Sequence, residues 1–404
     1  MLKNPSFEEA AALMLTRATV IGRETLPLAE VLGRILAEDV RACLDVPPFD
    51  RSAYDGYAFR AADSAGASVQ APKTLKVTAQ IAAGASPVKP LGPGEAAGIL
   101  TGAPIPPGAD AVVMFEATEF TARAVTLFEA ARPGQNIVPA GEDVRAGDMI
   151  APRGARLDPP LAGSLAAQGR TEVPVFRRPK AGLISTGSEL AAPGAPLTPG
   201  LIYDSNRYAL AAACEALGAR PIHLGQAGDG IEEIAALALR GFAECDLLIS
   251  TGGVSVGDQD FTPAALAAAG AEIVVSNLSL KPGGACAYAF KGDRPAFALS
   301  GNPAAALVNF YAVVQPVLRK ICGCPEPRPP AFMARLREPF GQPSPVARLL
   351  TGRLIHMDSE TWFSPNRLRG KGSLSGFIGC EVVAEVPAGS PALAAGTPLR
   401  TWPV

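Results

Sequence analysis

Residues 250–260, STGGVSVGDQD, directly follow the apolar run DLLI at 246–249, and this junction decides the expected fold. A short apolar run that ends in glycines and hydroxyl residues predicts a buried strand leading into a loop. The loop contains three glycines and two carboxylates. Glycines let a ligand approach the backbone closely, and carboxylates bind hard cations. The stretch therefore predicts a ligand site at the end of a core strand.

The same tetrapeptide, ISTG, occurs at 184–187 and at 249–252, each time at the end of a predicted strand. A third predicted strand, at 297–299, runs into SGNP at 300–303. In an open parallel sheet, ligands bind at the carboxyl ends of the strands. We therefore expect these loops to lie along one edge of a sheet.

The pattern of apolar residues divides the chain into several parts. Between 180 and 325, apolar strands alternate with Ala/Leu-rich helices, which is the signature of a doubly wound parallel sheet. Residues 6–42 predict two helices separated near 23–27, and residues 73–150 predict short strands between Pro/Gly turns. Residues 331–404 predict a small β-barrel or sandwich. The expected fold class is multidomain α/β plus β.

Composition excludes several classes of function. The net charge is −2, from 36 basic and 38 acidic residues, so no global basic field attracts nucleic acid or an anionic membrane. Two histidines in 404 residues argue against a Ser-His-Asp triad or a His-rich metal site. Seven scattered cysteines, with Cys322 and Cys324 as the only close pair, favour reduced thiols in the cytoplasm. The N-terminal segment has a capping-box pattern, Ser6 with Glu9, instead of a signal peptide.

The polar residues expected at the sheet edge combine phosphate-binding and cation-binding chemistry. Glycines and backbone N–H groups suit a phosphate, whereas nearby carboxylates would repel it unless a divalent cation such as Mg²⁺ bridges the two. The candidate ligand-binding residues are Thr186, Gly187, Asp204, Ser205, Asn206, Gly252, Gly253, Ser255, Gly257, Lys281, Pro282, Gly283, Ser300, Gly301, Asn302 and Pro303. The acids with them are Glu189, Asp229, Asp258 and Asp260.

Each of these segments also has an ordinary structural interpretation. Gly252 and Gly253 fit a tight turn between strand and helix, and residues 204–206 fit a helix cap. Lys281 fits a solvated loop, and Asp55 in SAYDGYAF fits an Asx turn. Their convergence on one predicted sheet edge favours function. The chain has neither a P-loop nor a Gly-x-Gly-x-x-Gly that opens a helix after a strand.

Eight segments together carry a family resemblance, and they recur in the family's order. They are PPFDRSAYDGYAF (47–59), ILTGAPIPPGADAVVMFE (99–116), GEDVRAGDMI (141–150), LISTGSEL (183–190), IYDSNRYAL (202–210), STGGVSVGDQDF (250–261), LKPG (280–283) and LSGNPAAALVNF (299–310). With these segments the chain resembles the molybdopterin molybdenumtransferase family, known as MoeA in bacteria and as the E domain of plant and animal fusions.

The resemblance implies an elongated homodimer of four domains. These are a helical connector (1–48 and 137–176), an inserted β domain (49–136), a molybdopterin-binding α/β domain (177–325) and a C-terminal β-barrel (326–404). It also implies a reaction in which adenylylated molybdopterin and molybdate bind, molybdenum enters the dithiolene, and AMP leaves with help from Mg²⁺. Molybdopterin adenylyltransferase and molybdenum enzymes are the implied protein partners.

Carried across by motif, the family's site residues come from both subunits. Asp55 and Asp143 of one subunit face the α/β domain of the other, which supplies Glu189, Asp229, Asp258, Asp260 and Lys281. Asp229, Asp258 and Asp260 are the implied metal ligands. Lys281 is the implied group that attracts the oxyanion.

The chain departs from the family pattern mainly by lacking basic residues. Val138, Asn277 and Gly284 stand where the family has cations, and Ser188 stands where it usually has Asp. Because a charge-assisted hydrogen bond is worth ~1.5–3 kcal/mol, two or three losses weaken capture of the molybdate dianion by roughly 3–9 kcal/mol in a dry site. Basic residues available to compensate are Arg132, Arg145, Arg367, Arg369 and Lys371.

Three alternatives to the transferase therefore remain open. One is a divergent paralogue that carries molybdopterin or the finished cofactor without efficient metal insertion. Another is an unrelated Mg²⁺-dependent nucleotide-binding enzyme. The last is a structural scaffold, although the chain shows no extra domain or linker for that role.

Overall fold

The computed structural model describes residues 1–85, 89–254, 261–357, 359–366 and 372–404. Several residues singled out from the sequence lie outside these ranges. They are Ser255, Gly257, Asp258, Asp260, Arg367, Arg369 and Lys371.

The N-terminal segment contains one α-helix where the sequence predicts two. Strand β1 is Leu2–Lys3, and helix α1, Phe7–Arg17, begins at the capping box predicted at Ser6. The prediction of a second helix is wrong. The predicted break near 23–27 is strand β2, Arg23–Pro27, and the residues after it form a 3-10 turn, Leu28–Glu30, and strand β3, Val40–Arg41, instead of a helix. Both strands pair with segments more than a hundred residues away, so tertiary pairing overrides the local helical pattern.

The next part of the chain is rich in strands, as predicted. The strands are β4 (Arg51–Ser52), β5 (Gly56–Phe59), β6 (Lys73–Ile81), β7 (Glu95–Ile99), β8 (Ala111–Met114), β9 (Thr118–Phe120), β10 (Ala124–Leu127), β11 (Ile137–Val138) and β12 (Met149–Ala151). Six of them form a sheet in the order β8-β5-β7-β6-β10-β9. Helix α2 (Pro159–Ala167) and strand β13 (Glu172–Phe176) follow, and β13 pairs with β2.

The middle of the chain alternates strands and helices. The strands are β14 (Lys180–Thr186), β15 (Leu190–Ala191), β16 (Ile202–Tyr203), β17 (Arg220–Ala227), β18 (Leu247–Thr251), β19 (Glu272–Ser276), β20 (Leu280–Lys281), β21 (Cys286–Lys291) and β22 (Arg294–Leu299). The helices are α3 (Asn206–Ala216), α4 (Ile231–Glu244), α5 (Phe261–Ala268), α6 (Pro303–Asn309) and α7 (Gln315–Ile321). A π-helical turn, Phe310–Val314, joins α6 to α7.

Seven strands form the central sheet, in the order β1-β19-β21-β22-β18-β14-β17. Strands β22, β18, β14 and β17 are parallel neighbours, whereas β21 runs antiparallel to both β19 and β22. The parallel prediction therefore holds for these four strands, three of which (β14, β18 and β22) carry the ISTG and SGNP loops, and the sheet as a whole is mixed.

Helices cover both faces of this sheet, as a doubly wound fold requires. Leu247 and Ile249 of β18 pack into one core with residues of α1, α3, α6 and α7. Leu248, between them, packs into a second core with residues of α4 and α5. This alternation with a period of two is the pleat of a strand buried on both sides. Among the described helices, none has the length and apolar character needed to cross a membrane.

The C-terminal part closes into a β-barrel. Its strands are β23 (Phe332–Leu336), β24 (Ala347–Met357), β25 (Glu360–Pro365), β26 (Val382–Val386) and β27 (Pro398–Pro403). Pairing runs β24-β25-β23-β27-β26 and returns from β26 to β24, which closes the ring. Strand β20 joins this ring through β24, with Lys281 opposite Arg348. The barrel is therefore attached directly to the segment that carries Lys281.

Candidate functional site

The carboxyl ends of β14, β18 and β22 meet at one edge of the central sheet, which we call the rim (residues 186–189, 251–254 and 300–303). Thr186 Oγ1 donates a hydrogen bond of 3.0 Å to the carbonyl of Thr251. Gly252 N donates one of 3.1 Å to the carbonyl of Leu299. A Cβ on Gly301 would lie 3.5 Å from Gly252 Cα. The three predicted loops therefore contact one another.

Gly252 occupies a position that only glycine fits. Its φ is +94°, in the left-handed region that other residues rarely adopt. A Cβ there would overlap the carbonyl oxygen of Thr186 and lie 2.6 Å from Thr186 Oγ1. The missing side chain therefore allows two adjacent strand ends to come together, which leaves bare backbone at the centre of the rim.

Two of the predicted acids, Glu189 in the rim and Asp229 after β17, are exposed and available to a ligand. Asp229 Oδ2 lies 3.5 Å from the hydroxyl of Ser188, and neither Asp229 nor Glu189 forms an ion pair with any described residue. No group of three or more potential metal-ligating side chains occurs within the described ranges. Mg²⁺ commonly binds through one or two carboxylates together with substrate phosphates, and exposed acids beside bare backbone fit that mode.

Asp204 and Asn206 use their polar atoms inside the protein. Asp204 is buried, and its carboxylate accepts hydrogen bonds from Ser185 Oγ at 2.5 Å and from Arg207 N at 3.1 Å. Asn206 Nδ2 donates to the carbonyl of Gly301 at 2.8 Å. Asp204 thus holds the end of β14 and Asn206 holds the rim loop after β22, whereas Ser205 between them is exposed.

The loop after β22 caps the helix that follows it. Asn302 Oδ1 accepts a hydrogen bond of 3.2 Å from Ala305 N, and Pro303 occupies the first turn of α6. Ser300 Oγ accepts one of 3.2 Å from Asn302 N. A Cβ on Gly372 would overlap the Asn302 amide, so a loop of the C-terminal part lies against this side of the rim.

The segment Lys281–Pro282–Gly283 lies between the barrel and helix α6. Lys281 is exposed, and Gly283 is buried. Asn309, the last residue of α6, donates a hydrogen bond of 2.8 Å to the carbonyl of Gly283. The lysine loop therefore rests on the same helix that begins at Asn302. Sequence reasoning missed Asn309, although a polar residue in the apolar stretch AAALVNF is the signal that could have identified it.

Asp55 and Asp143 lie on loops of the strand-rich N-terminal half, and both are exposed. Asp55 Oδ1 accepts two hydrogen bonds of 2.7 Å, from the backbone N and the hydroxyl of Thr101. These bonds lower the pKa of Asp55, the backbone bond more than the hydroxyl bond. Across the described part of the chain, no hydrogen bond or ion pair joins either aspartate to the rim of the same chain.

Replacing Thr101 with valine is expected to raise the pKa of Asp55 part of the way to its usual value, because the backbone donor remains. The lowered pKa means that the Thr101 contact stabilises the fold fully above the unfolded-state pKa and loses that effect as the pH falls through the folded-state pKa. An NMR titration of the Asp55 carboxyl carbon measures the shift. Thr121→Val, in another exposed turn, is the control, and an unchanged Asp55 pKa in Thr101→Val would contradict the assignment.

The backbone at two of the divergent positions suits the residues that are present. Asn277 has φ of +60°, a conformation that asparagine tolerates better than lysine. A Cβ on Gly284 would lie 3.1 Å and 3.2 Å from the carbonyl oxygens of Leu280 and Leu278. Elsewhere, Val138 pairs across β4–β11 with Arg51, so a guanidinium lies on the neighbouring strand.

A cavity of about 690 Å³ lies at the opposite end of the strands from the rim. Its lining includes five arginines and two glutamates, together with Cys322 and Cys324. Two of the arginines, Arg34 and Arg177, are paired with Glu24 and Asp246. The carboxyl ends of α3 and α7 add negative partial charge. The charges here are therefore largely balanced.

The two cysteines of this cavity are free thiols. Burial raises the pKa of Cys322 to about 12 and also raises that of Cys324. Both thiols are therefore protonated at neutral pH and are poor nucleophiles or metal ligands.

Two family models match the chain and define its class. The model described as the MoeA N-terminal region (domains I and II) matches residues 5–169. The model described as a probable molybdopterin binding domain matches residues 182–320, which include the whole rim. The protein thus combines a MoeA-type N-terminal region with a domain of the probable molybdopterin-binding type.

Relatives that match over most of their length show which family the chain belongs to. The chain is 37% identical over 371 residues to the molybdopterin molybdenumtransferase of Bacillus subtilis, covering 91% of this chain and 86% of that protein. It is 37% identical to molybdopterin molybdenumtransferase 2 of Mycobacterium tuberculosis, covering 94% of each. A crystal structure of a molybdopterin biosynthesis moeA protein from Pyrococcus horikoshii superposes with a TM-score of 0.87 at 34% identity over 99% of both chains. The chain belongs to the molybdopterin molybdenumtransferase family.

Proposed function

We propose that this protein inserts molybdenum from molybdate into adenylylated molybdopterin and releases AMP. The observation that carries the proposal is the meeting of Thr186, Gly252 and Gly301 at one sheet edge, where the helix begins whose other end holds the loop of Lys281. Bare backbone there suits a phosphorylated pterin, and the exposed lysine suits an oxyanion. Membership in the family supports the same reaction.

The proposed roles follow from the chemistry of each group. Backbone groups around Gly187, Gly252 and Gly253 hold the pterin phosphate, and Lys281 attracts the molybdate dianion. Asp229 and Glu189 would hold Mg²⁺, together with Asp258 and Asp260, which lie outside the described residues. Mg²⁺ would neutralise charge on the phosphates as AMP leaves.

We propose that the working form is a homodimer in which Asp55 and Asp143 reach the rim of the second copy. Their exposure fits this arrangement, as does the absence of a polar contact between them and their own chain's rim among the described residues. The four-domain division at residues 48, 136, 176 and 325 is part of the same proposal. The free thiols found at every cysteine suit a reducing compartment such as the cytoplasm.

One incubation tests the reaction directly. Purified protein is mixed with adenylylated molybdopterin, Mg²⁺ and molybdate, and AMP and metal-bearing cofactor are measured by chromatography. We expect both products to form together and to require molybdate. Failure to release AMP at saturating molybdate would remove the transferase proposal.

The second candidate is a carrier of molybdopterin or of the finished cofactor. It is favoured by Asn277 and Gly284, whose backbone geometry suits the uncharged residues present. Such a carrier would bind the pterin tightly but release little AMP. Calorimetry with adenylylated molybdopterin, run beside the AMP assay, separates the two candidates. An unrelated nucleotide-binding enzyme would instead show no preference for the pterin.

Restoring a cation at position 277 is expected to raise activity if missing charge limits the enzyme. Asn277→Lys should lower the KM for molybdate about tenfold, since one charge-assisted hydrogen bond is worth ~1.5–3 kcal/mol and the left-handed backbone costs lysine ~1 kcal/mol. Asn277→Gln is the matched neutral control. Gly284→Lys is a poorer test because its Cβ would press on two backbone carbonyls. An unchanged KM in Asn277→Lys would count against the charge argument.

A further inference from the structure

A buried chain of hydrogen bonds lies directly beneath the lysine loop. Tyr288 on β21 donates its hydroxyl to Asn309 Oδ1. Asn309 Nδ2 then donates to the carbonyls of Gly283 at 2.8 Å and Ala305 at 3.2 Å. Both side chains are completely buried, and burial raises the pKa of Tyr288 well above 10, so its hydroxyl stays protonated and donates. Every polar group of the Asn309 side chain is thereby satisfied.

These two polar side chains stand within an otherwise apolar core. Phe297 contacts the Tyr288 ring edge to face, and Val308 and Phe310 flank Asn309 in the same core cluster. Even when fully hydrogen-bonded, a buried amide and phenol add little stability over well-packed apolar residues, whereas a satisfied polar network fixes one arrangement of the groups that it joins. Their presence therefore points to a positional role. The helix also widens into a π-helical turn directly after Asn309, a feature common near functional sites.

The lysine loop is fixed at both of its ends. Before it, β20 is hydrogen-bonded to the barrel, with Lys281 opposite Arg348. After it, the Gly283 carbonyl is held by Asn309, and a Cβ on Gly283 would lie 2.5 Å from Asn309 Nδ2. Because α6 also carries Asn302 at its start, one helix links the lysine loop to the rim.

We propose that Tyr288 and Asn309 are positioning residues, whose buried hydrogen-bond chain sets where the Lys281 ammonium meets the oxyanion of the substrate. The inference rests on the proposed function, since it assigns these residues to the step that uses Lys281. They act through the backbone of the loop at Gly283. Neither side chain reaches the solvent, so neither contacts the substrate itself.

A double-mutant cycle tests the coupling in the full-length protein. Tyr288→Phe removes only the hydroxyl and keeps the ring that packs on Phe297. We expect kcat/KM for AMP release to fall about tenfold, the loss that ~1.4 kcal/mol of transition-state stabilisation produces. Lys281→Ala should cost about 100-fold, and the double variant should be no worse than Lys281→Ala alone. Additive losses of about 1,000-fold would show that Tyr288 acts elsewhere and would overturn the proposal.

Tyr311→Phe is the matched control for deleting a tyrosine hydroxyl. Tyr311 lies two residues after Asn309, and its hydroxyl has no hydrogen-bond partner among the described residues. Its kcat/KM should stay within about twofold of the wild type, since surface or unpartnered groups contribute little. A tenfold loss in Tyr311→Phe would mean that general weakening of the core explains both variants, and the proposal would fall.

A second measurement follows the local stability of the lysine loop and does not depend on catalysis. Amide hydrogen exchange of a peptide covering residues 279–286 should be faster in Tyr288→Phe than in the wild type and unchanged in Tyr311→Phe. Equal exchange in all three proteins would overturn the proposal. If the wild type releases no AMP, the transferase function fails separately, and the same cycle is run on the Kd for molybdate, the anion assigned to Lys281. Additive changes in that Kd would reject the coupling by itself.

Discussion

Replacing Lys281 with alanine is expected to lower the rate of AMP release about 100-fold or more. Removing one preorganised donor from a site that stabilises an oxyanion costs ~10²–10³ in kcat. Lys281 is exposed at the end of β20 and forms no ion pair with any described residue, so its charge is available to a ligand. Because Asn277 and Gly284 stand where the family pattern has cations, fewer basic side chains share this role with Lys281 than the family pattern provides.

The measurement is single-turnover AMP release with molybdate varied at fixed pterin nucleotide. Lys76→Ala, which deletes an exposed lysine on β6 in the N-terminal sheet, is the control and should change the rate less than twofold. Lys281→Arg is expected to recover only part of the activity, because a planar guanidinium presents its donors differently from an ammonium. A rate within threefold of the wild type in Lys281→Ala would exclude the proposed role.

The α/β part of the fold was predictable because its signals are local. Apolar runs such as 247–249 end in glycine-rich loops, and the pleat sends alternate residues into two cores. The rim followed from the same signals, since parallel strands present their carboxyl ends at one edge. For the C-terminal part, the strand and turn pattern predicted either a barrel or a sandwich. It could not choose between them, because short strands and turns do not by themselves show whether the sheet closes into a ring.

Other features depend on partners distant in sequence and were therefore missed. Residues 28–42 look helical in isolation, but Val40 and Arg41 form a strand that pairs with 149–151, more than a hundred positions later. Asn309 looks like one more residue of an apolar helix, and its importance appears only when Gly283 and Tyr288 are placed against it. Thr101 likewise gains its role from Asp55, which precedes it by 46 residues.

Replacing Gly252 with alanine is expected to cost the α/β part of the protein about 3 kcal/mol of stability. The left-handed backbone costs an L-residue ~1–2 kcal/mol, and overpacking a tight site typically adds ~1–3 kcal/mol. The added methyl would meet both the carbonyl and the hydroxyl of Thr186, which belong to the rigid end of β14. Adjacent strand ends would then separate, and the bare backbone proposed to hold the pterin phosphate would be lost with them.

Gly194→Ala isolates the steric part of this effect. Gly194 has φ of +91°, close to the +94° of Gly252, but a Cβ there would meet nothing within 4 Å. Gly194→Ala should therefore lower the stability by only the ~1–2 kcal/mol of the left-handed backbone. The affinity of this variant for adenylylated molybdopterin should stay within twofold of the wild type, whereas Gly252→Ala should lose at least tenfold. Hydrogen exchange of β14 and β18 reports local stability in a protein whose several parts need not unfold together. Equal effects of the two substitutions on exchange and on affinity would mean that the rim tolerates a side chain at its centre, and that no pterin phosphate rests on the backbone there.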